Sequence, residues 1–225
     1  MRKLRLDLLI LTLLSLALIL CSWRRWLPYN LTETLGFVTG VACVYLVVRE
    51  SIWNFPLGIA NNLFFLVLFS TARLYADAGL QIVYLALGVQ GWHRWLRGGR
   101  DQTPLQIGRA SRRLLLGVAA AIAIATALLM LVLRLANGAA PLMDSFTTAL
   151  SLAAQYLLNN KKIENWYFWI AADVIYIWLY VSRGLHLTAI LYFVFLALCI
   201  AGLANWRRIQ ASQSAPAGME GTRHA

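Results

Sequence analysis

LYADAGLQIVYLALGVQGWHRW, residues 74–95, lies over LHLTAILYFVFLALCIAGLANW, residues 185–206, at an offset of 111 with nine identities in 22 positions. About two or three matches are what so Leu- and Ala-rich a chain gives by chance, so the likeness marks an internal repeat. Upstream, after a two-residue shift in the intervening loop, Trp53-Asn54-Phe55 lies over Trp166-Tyr167-Phe168. The repeat then covers three helices in each copy, residues 31–95 and 141–206. Three helices reverse the side of the membrane, so two such repeats share an orientation only when an extra span separates them. The Leu- and Ala-rich run 113–134 supplies that span. The expected fold is therefore an all-α polytopic membrane protein with 3+1+3 transmembrane helices in two parallel three-helix repeats, plus one extra N-terminal helix.

Composition agrees with a life in lipid. Of 225 residues, 60% are hydrophobic and 13% charged, with a mean hydropathy of +0.66; a soluble domain is about half apolar and a quarter charged. Apolar runs bounded by charge, Gly or Pro predict helices at 4–22, 31–48, 53–70, 75–95, 113–134, 141–158, 165–182 and 186–206. The expected organisation is an N-terminal helix and loop (1–30), a first repeat (31–95), a basic cytoplasmic loop and linker helix (96–140), a second repeat (141–206) and a disordered cytoplasmic tail (207–225). No small-x-small cleavage site follows the first apolar run, so it is read as an uncleaved helix that spans the membrane or lies along it.

The net charge of +11 is read as topology rather than as a nucleic-acid footprint. With both termini cytoplasmic, fifteen of the 20 Lys and Arg fall inside, among them Arg94, Arg97, Arg112, Arg113, Lys161, Lys162, Arg207 and Arg208. The remaining five, Arg24, Arg25, Arg73, Arg134 and Arg183, fall outside. Cys21, Cys43 and Cys199 lie in apolar stretches without CxxC spacing and read as packing residues.

Polar groups at membrane depth are costly and face a bundle interior or a watery cavity. Asp77, Gln81, Tyr84, Gly88 and Trp95 share one face of the 75–95 helix. Trp166, Trp169, Asp173 and Tyr176 share one face of the 165–182 helix, and Asn54 and Asn61 one face of the 53–70 helix. Tyr192 occupies the repeat position of Gln81. Two roles stay open at several of these positions. Trp92, Trp95 and Trp206 suit an interfacial aromatic belt, Asn61 or Gln81 suits interhelical glue, and Gly88, Gly91 and Gly202 suit close helix packing. Asp173, well inside a span, has no lipid-facing solution. Trp and Tyr faces with Asn, Gln and Asp suit a ligand carrying a flat, preferably cationic ring and several hydroxyls, as in a nucleoside-like vitamin.

Enzymatic readings lack parts. The sequence has no HExxH, GxSxG, P-loop or GxGxxG, its three histidines are scattered, and Lys3, Lys161 and Lys162 all lie at membrane edges, where none can carry a retinal. No catalytic residue, metal ligand or resident cofactor is expected. A non-transporting membrane scaffold or receptor component remains open, with the polar faces then buried in dry helix contacts.

Trp53-Asn54-Phe55-Pro56-Leu57-Gly58-Ile59-Ala60-Asn61, Leu74-Tyr75-Ala76-Asp77, Leu80-Gln81, Gly91-Trp92 with Trp95, and Lys162-Ile163-Glu164-Asn165-Trp166 with Trp169 together make the chain resemble the PnuC nicotinamide riboside transporters, from about Glu33 to Trp206. The 3+1+3 core of that family is similar to that of SWEET sugar transporters. The resemblance implies uptake of a B vitamin across the bacterial inner membrane by facilitated diffusion, with trapping by a cytoplasmic riboside kinase, and a homotrimer. Carried over by motif match, Asn61, Gln81, Trp166, Trp169 and Tyr192 line the site. Tyr84, Asp173 and Tyr176 join them from the face pattern above. Asp173 stands where some members have Asn, and Gln90 where a Tyr often precedes the Gly-Trp pair. Relatives of this fold that carry thiamine, riboflavin or deoxynucleosides leave those substrates as alternatives.

Overall fold

The computed structural model describes residues 16, 19–20, 22–24, 31–71, 75–135, 141–182, 184 and 186–214. Seven α-helices are found among them: α1 (Leu31–Val48), α2 (Asn54–Thr71), α3 (Tyr75–Arg97), α4 (Arg112–Leu135), α5 (Pro141–Asn159), α6 (Asn165–Ser182) and α7 (His186–Ser214). Most of the expected helix at 4–22, the side chain of Asp77 and the tail from residue 215 lie outside the described residues; residues 16, 19, 20 and 22, which are described, are helical. Three of the helices are long and apolar enough to cross a membrane: α2, α4 and the Ala189–Gln213 part of α7. On α4, Leu116 is 72% exposed and Leu135 79% exposed, a surface that only a lipid or another apolar partner satisfies.

Helix ends recur at one constant offset. α1 closes with the Ser51 N–H donating to Leu46 O at 2.8 Å, and α5 with the Lys162 N–H donating to Leu157 O at 2.9 Å. Both are six-to-one bonds of the Schellman kind, which need a left-handed residue just before the donor. Glu50 (φ 56°) and Lys161 (φ 46°) fill those places. The next helices open alike. Asn54 Nδ2 donates to Ser51 O, and Asn165 Nδ2 to Lys162 O, each at 2.7 Å. Asn54 therefore corresponds to Asn165 and Phe55 to Trp166, at the offset of 111 seen downstream. The two-residue shift expected from Trp53-Asn54-Phe55 is not needed. A Trp-x-Phe coincidence suggested it, whereas the turn hydrogen bonds fix the register.

α7 also differs from expectation by continuing to Ser214, eight residues past 206. Residues 207–213 contain no Gly or Pro, so nothing in them stops a helix, and the first proline downstream is Pro216.

By contact the chain divides into two compact units. Among the described residues, one comprises those up to Val47 together with those in Ser51–Val89, the other Val48–Glu50 and those from Gln90 onward. In the first, Asn61 Nδ2 donates to Thr39 Oγ1 at 2.5 Å, joining α2 to α1. Gly36 meets the Phe65 ring, and Gly88 lets α3 approach Ile59. In the second, α4 packs on α5, α5 on α6 and α6 on α7. Ser111 caps α4 by accepting from the Leu114 N–H at 3.2 Å. The segment between α3 and α4 is stitched to the α5–α6 turn. Gly108 N–H donates to Lys161 O and Ile163 N–H to Gly108 O, each at 3.0 Å, and Glu164 Oε2 accepts from the Ala110 N–H at 2.8 Å.

Candidate functional site

Of the eight expected site residues, Asn61, Gln81 and Tyr84 belong to the first unit, and Trp166, Trp169, Asp173, Tyr176 and Tyr192 to the second. Asn61 is engaged by Thr39, whose own hydroxyl donates to Leu35 O at 2.7 Å. Gln81 and Tyr84 are half-buried on α3, one turn apart.

The second unit gathers its candidates into two clusters along α6. Trp166, the second residue of the helix, is 1% exposed. Its six-membered ring lies where a Cβ on Gly202 would be, so α7 can pass only because that residue is glycine. Trp206 meets Trp166 edge-on at 5.4 Å between centroids, and Trp95 meets Trp206 at 5.9 Å. Trp95 donates its indole N–H to Leu158 O at 3.1 Å, and Lys161 Nζ stands 4.4 Å from the Trp95 ring centroid. Trp95 and Trp206, at 2% and 0% exposure, are thus core residues rather than the interfacial belt expected of them. A carbonyl partner for the indole and a glycine opposite the neighbouring ring make burial affordable. Trp92 remains on the surface.

Two polar atoms in this cluster have no partner, the indole nitrogen of Trp166 and Oδ1 of Asn165. Both residues are fully covered, so a donor and an acceptor on adjacent residues are left dry.

Two turns further along α6, about 10 Å away, lies the second cluster. Asp173 is 6% exposed and accepts from the Cys199 thiol at 3.4 Å. No Lys, Arg or His among the described residues pairs with it; the ion pair seen there is Lys161 with Glu50. One turn on, Tyr176 and Tyr192 approach to 4.7 Å between centroids, and Tyr180 stacks on both, at 6.1 and 5.3 Å. Phe195 closes the group against Tyr192 at 5.9 Å. Thr147 of α5 lies beside Tyr176, with Asp144 near. Trp169 is half-buried between the two clusters.

Asp173, Tyr176 and Tyr192 are thus brought together, while Trp166 is engaged elsewhere. Tyr180 and Cys199 were not among the expected site residues. The first was readable as the next residue on the Asp173–Tyr176 face, four positions on; the second, read as packing, gave no signal beyond its apolar context. The tyrosine pair also has a repeat counterpart, since Phe65 and Phe69, 111 positions earlier, stack at 5.5 Å.

A family model described as nicotinamide mononucleotide transporter matches residues 30–208, most of the chain. The chain belongs to the nicotinamide mononucleotide transporter family. Relatives of this transporter-family chain include the nicotinamide riboside transporter PnuC of Escherichia coli, 26% identical over 200 residues that cover 77% of this chain and 84% of that protein. The riboflavin/roseoflavin transporter RibM of Streptomyces davaonensis is 25% identical over 182 residues, covering 78% and 84%. Among solved structures, a crystal structure of the vitamin B3 transporter PnuC superposes with a TM-score of 0.68 at 22% identity, over 91% of this chain and 93% of that one. The family chain therefore shares the PnuC fold.

Proposed function

We propose that the protein is an uptake transporter for nicotinamide riboside, working by facilitated diffusion and alternating access. The observation that carries this reading is Asp173, a buried carboxylate with a thiol for a hydrogen-bond partner and a tyrosine cluster beside it. A buried charge needs an opposite charge, and aromatic faces attract cations. The pyridinium ring of the riboside brings both a positive charge and a flat face. The mononucleotide brings a phosphate as well, which an uncompensated carboxylate repels, so the riboside fits better than the substrate in the family's name. Among the named relatives, PnuC of Escherichia coli is a nicotinamide riboside transporter.

The site uses Trp169, Asp173, Tyr176 and Tyr192 for the ring and its charge. Trp166 serves through its unpaired indole N–H, with Asn165 Oδ1 beside it in sequence; the carboxamide of the substrate offers the complementary acceptor and donor. The helices form a 3+1+3 arrangement of two parallel repeats, supported by the recurrence of caps and ring pairs at one offset. The chain is a multi-pass protein of the bacterial inner membrane with both termini in the cytoplasm and assembles as a homotrimer. A cytoplasmic riboside kinase phosphorylates the product and holds it inside.

Titration calorimetry of the detergent-purified protein against nicotinamide riboside, its mononucleotide, thiamine and riboflavin tests the reading. Binding of the riboside with little affinity for the mononucleotide is expected. Asp173→Asn should weaken the riboside by about tenfold or more and leave a neutral nucleoside analogue less affected. Equal losses for both would remove Asp173 from the charge role. Preferential binding of riboflavin, as the relation to RibM allows, would replace the substrate.

A further inference from the structure

The turns after α1 and α5 are built alike down to their strained residue. Each ends in a left-handed position that favours glycine, yet the sequence places Glu50 in one and Lys161 in the other. A non-glycine residue costs of order 1 kcal/mol there, so a side chain kept at both sites calls for a use. The two side chains meet, with Lys161 Nζ donating to Glu50 Oε1 at 2.6 Å. The pair is largely shielded, at 7% exposure for the lysine side chain and 21% for the glutamate. The same ammonium lies over the Trp95 ring, and Trp95 backs Trp206, which backs Trp166. The Asn205 side chain adds a second tie, donating to Val48 O at 2.8 Å.

We infer that Lys161 and Glu50 form a latch that holds the tryptophan cluster shut over Trp166 and so governs access to the buried faces of α6 and α7 from the end of α6 at which Trp166 lies. The proposal rests on the reading above in treating Trp166 as part of the substrate site. In the structure Trp166 is sealed by Gly202 and Trp206, so no ligand reaches it until that packing opens. α7 carries Cys199, Gly202 and Trp206 on one face at helical spacing. A reagent entering past Trp206 and Trp166 therefore meets the Cys199 thiol next. Breaking the ion pair frees Lys161 from Trp95 and shifts the balance toward the open cluster. Lys161 and Glu50 touch no substrate; they are positioning residues acting through Trp95.

Cys199 makes the latch measurable without substrate. In the 225-residue chain carrying Cys21→Ser and Cys43→Ser, Cys199 is the one thiol left, and its rate of reaction with N-ethylmaleimide is read by intact mass. Glu50→Gln and Lys161→Met should each speed labelling about tenfold, and the double variant should add little to either. Lys161→Arg, which keeps the charge over Trp95, should stay within about twofold of the parent. Glu50→Gly removes the carboxylate while relieving the left-handed strain, which offsets part of the lost pairing, and should still label fast. Unchanged labelling in Glu50→Gly and Lys161→Met would overturn the latch. In proteoliposomes the same variants should change the rate of riboside exchange and, by enlarging the open population, tighten its apparent affinity. Absence of riboside transport by the parent would strike the functional reading, and the labelling rates would still decide the latch.

Discussion

At the residue scale the chemistry concentrates in side chains whose surroundings contradict their usual preferences. Asp173 is an acid in an apolar span with a thiol as its donor, and Trp166 is an indole with its N–H unpaired. Gly202 is the counterpart of Trp166, since any side chain there enters its ring. Gly202→Ala should therefore cost about 1–3 kcal/mol through overpacking, seen as a lower melting temperature in detergent. Gly117→Ala, with open space around its Cβ position, should not lower it. The burial of Trp166 also changes how its removal is read. Trp166→Ala empties a core position, at a cost of about 3–5 kcal/mol, and loses binding for two reasons at once. Trp169→Ala is the cleaner probe of ring stacking, with an expected loss of about 1 kcal/mol in riboside affinity, measured by calorimetry. The sequence face pattern put Asp173 and Tyr176 together, and the repeat position drew attention to Tyr192, which the structure sets against Tyr176. It did not separate Trp166 from them, because seven residues on one helix face say nothing about which rings on α3 and α7 will reach each position.

At the element scale the helices were legible because lipid allows few alternatives. Apolar runs of spanning length, broken by Gly, Pro and charge, placed all seven described helices close to their observed ends. The exceptions have local causes. α7 runs on because nothing in 207–213 breaks it, and Trp95 and Trp206 went inward because a carbonyl and a glycine waited there, neither visible from their own helix. The repeat register was misjudged upstream, where side-chain identities are few and hydrogen bonds to the turn decide. Those bonds make a paired prediction. Asn54→Ala and Asn165→Ala should each cost about 1 kcal/mol, as both remove the same 2.7 Å bond to the turn carbonyl three residues back. Matched shifts in melting temperature would support equivalence of the two turns; a loss at one position alone would break it.

At the scale of the whole molecule, the family, the PnuC-like fold and the buried carboxylate beside a tyrosine cluster converge on a carrier for a cationic nucleoside. The sequence holds no nucleotide-binding motif and no mid-span lysine for a retinal. The most direct test is exchange of radiolabelled nicotinamide riboside across liposomes containing the purified protein, with unlabelled riboside trapped inside. Saturable entry well above protein-free liposomes, suppressed by external riboside and not by the mononucleotide, is the predicted result. Flux no faster than in empty liposomes, or exchange of thiamine or riboflavin where the riboside gives none, would contradict it.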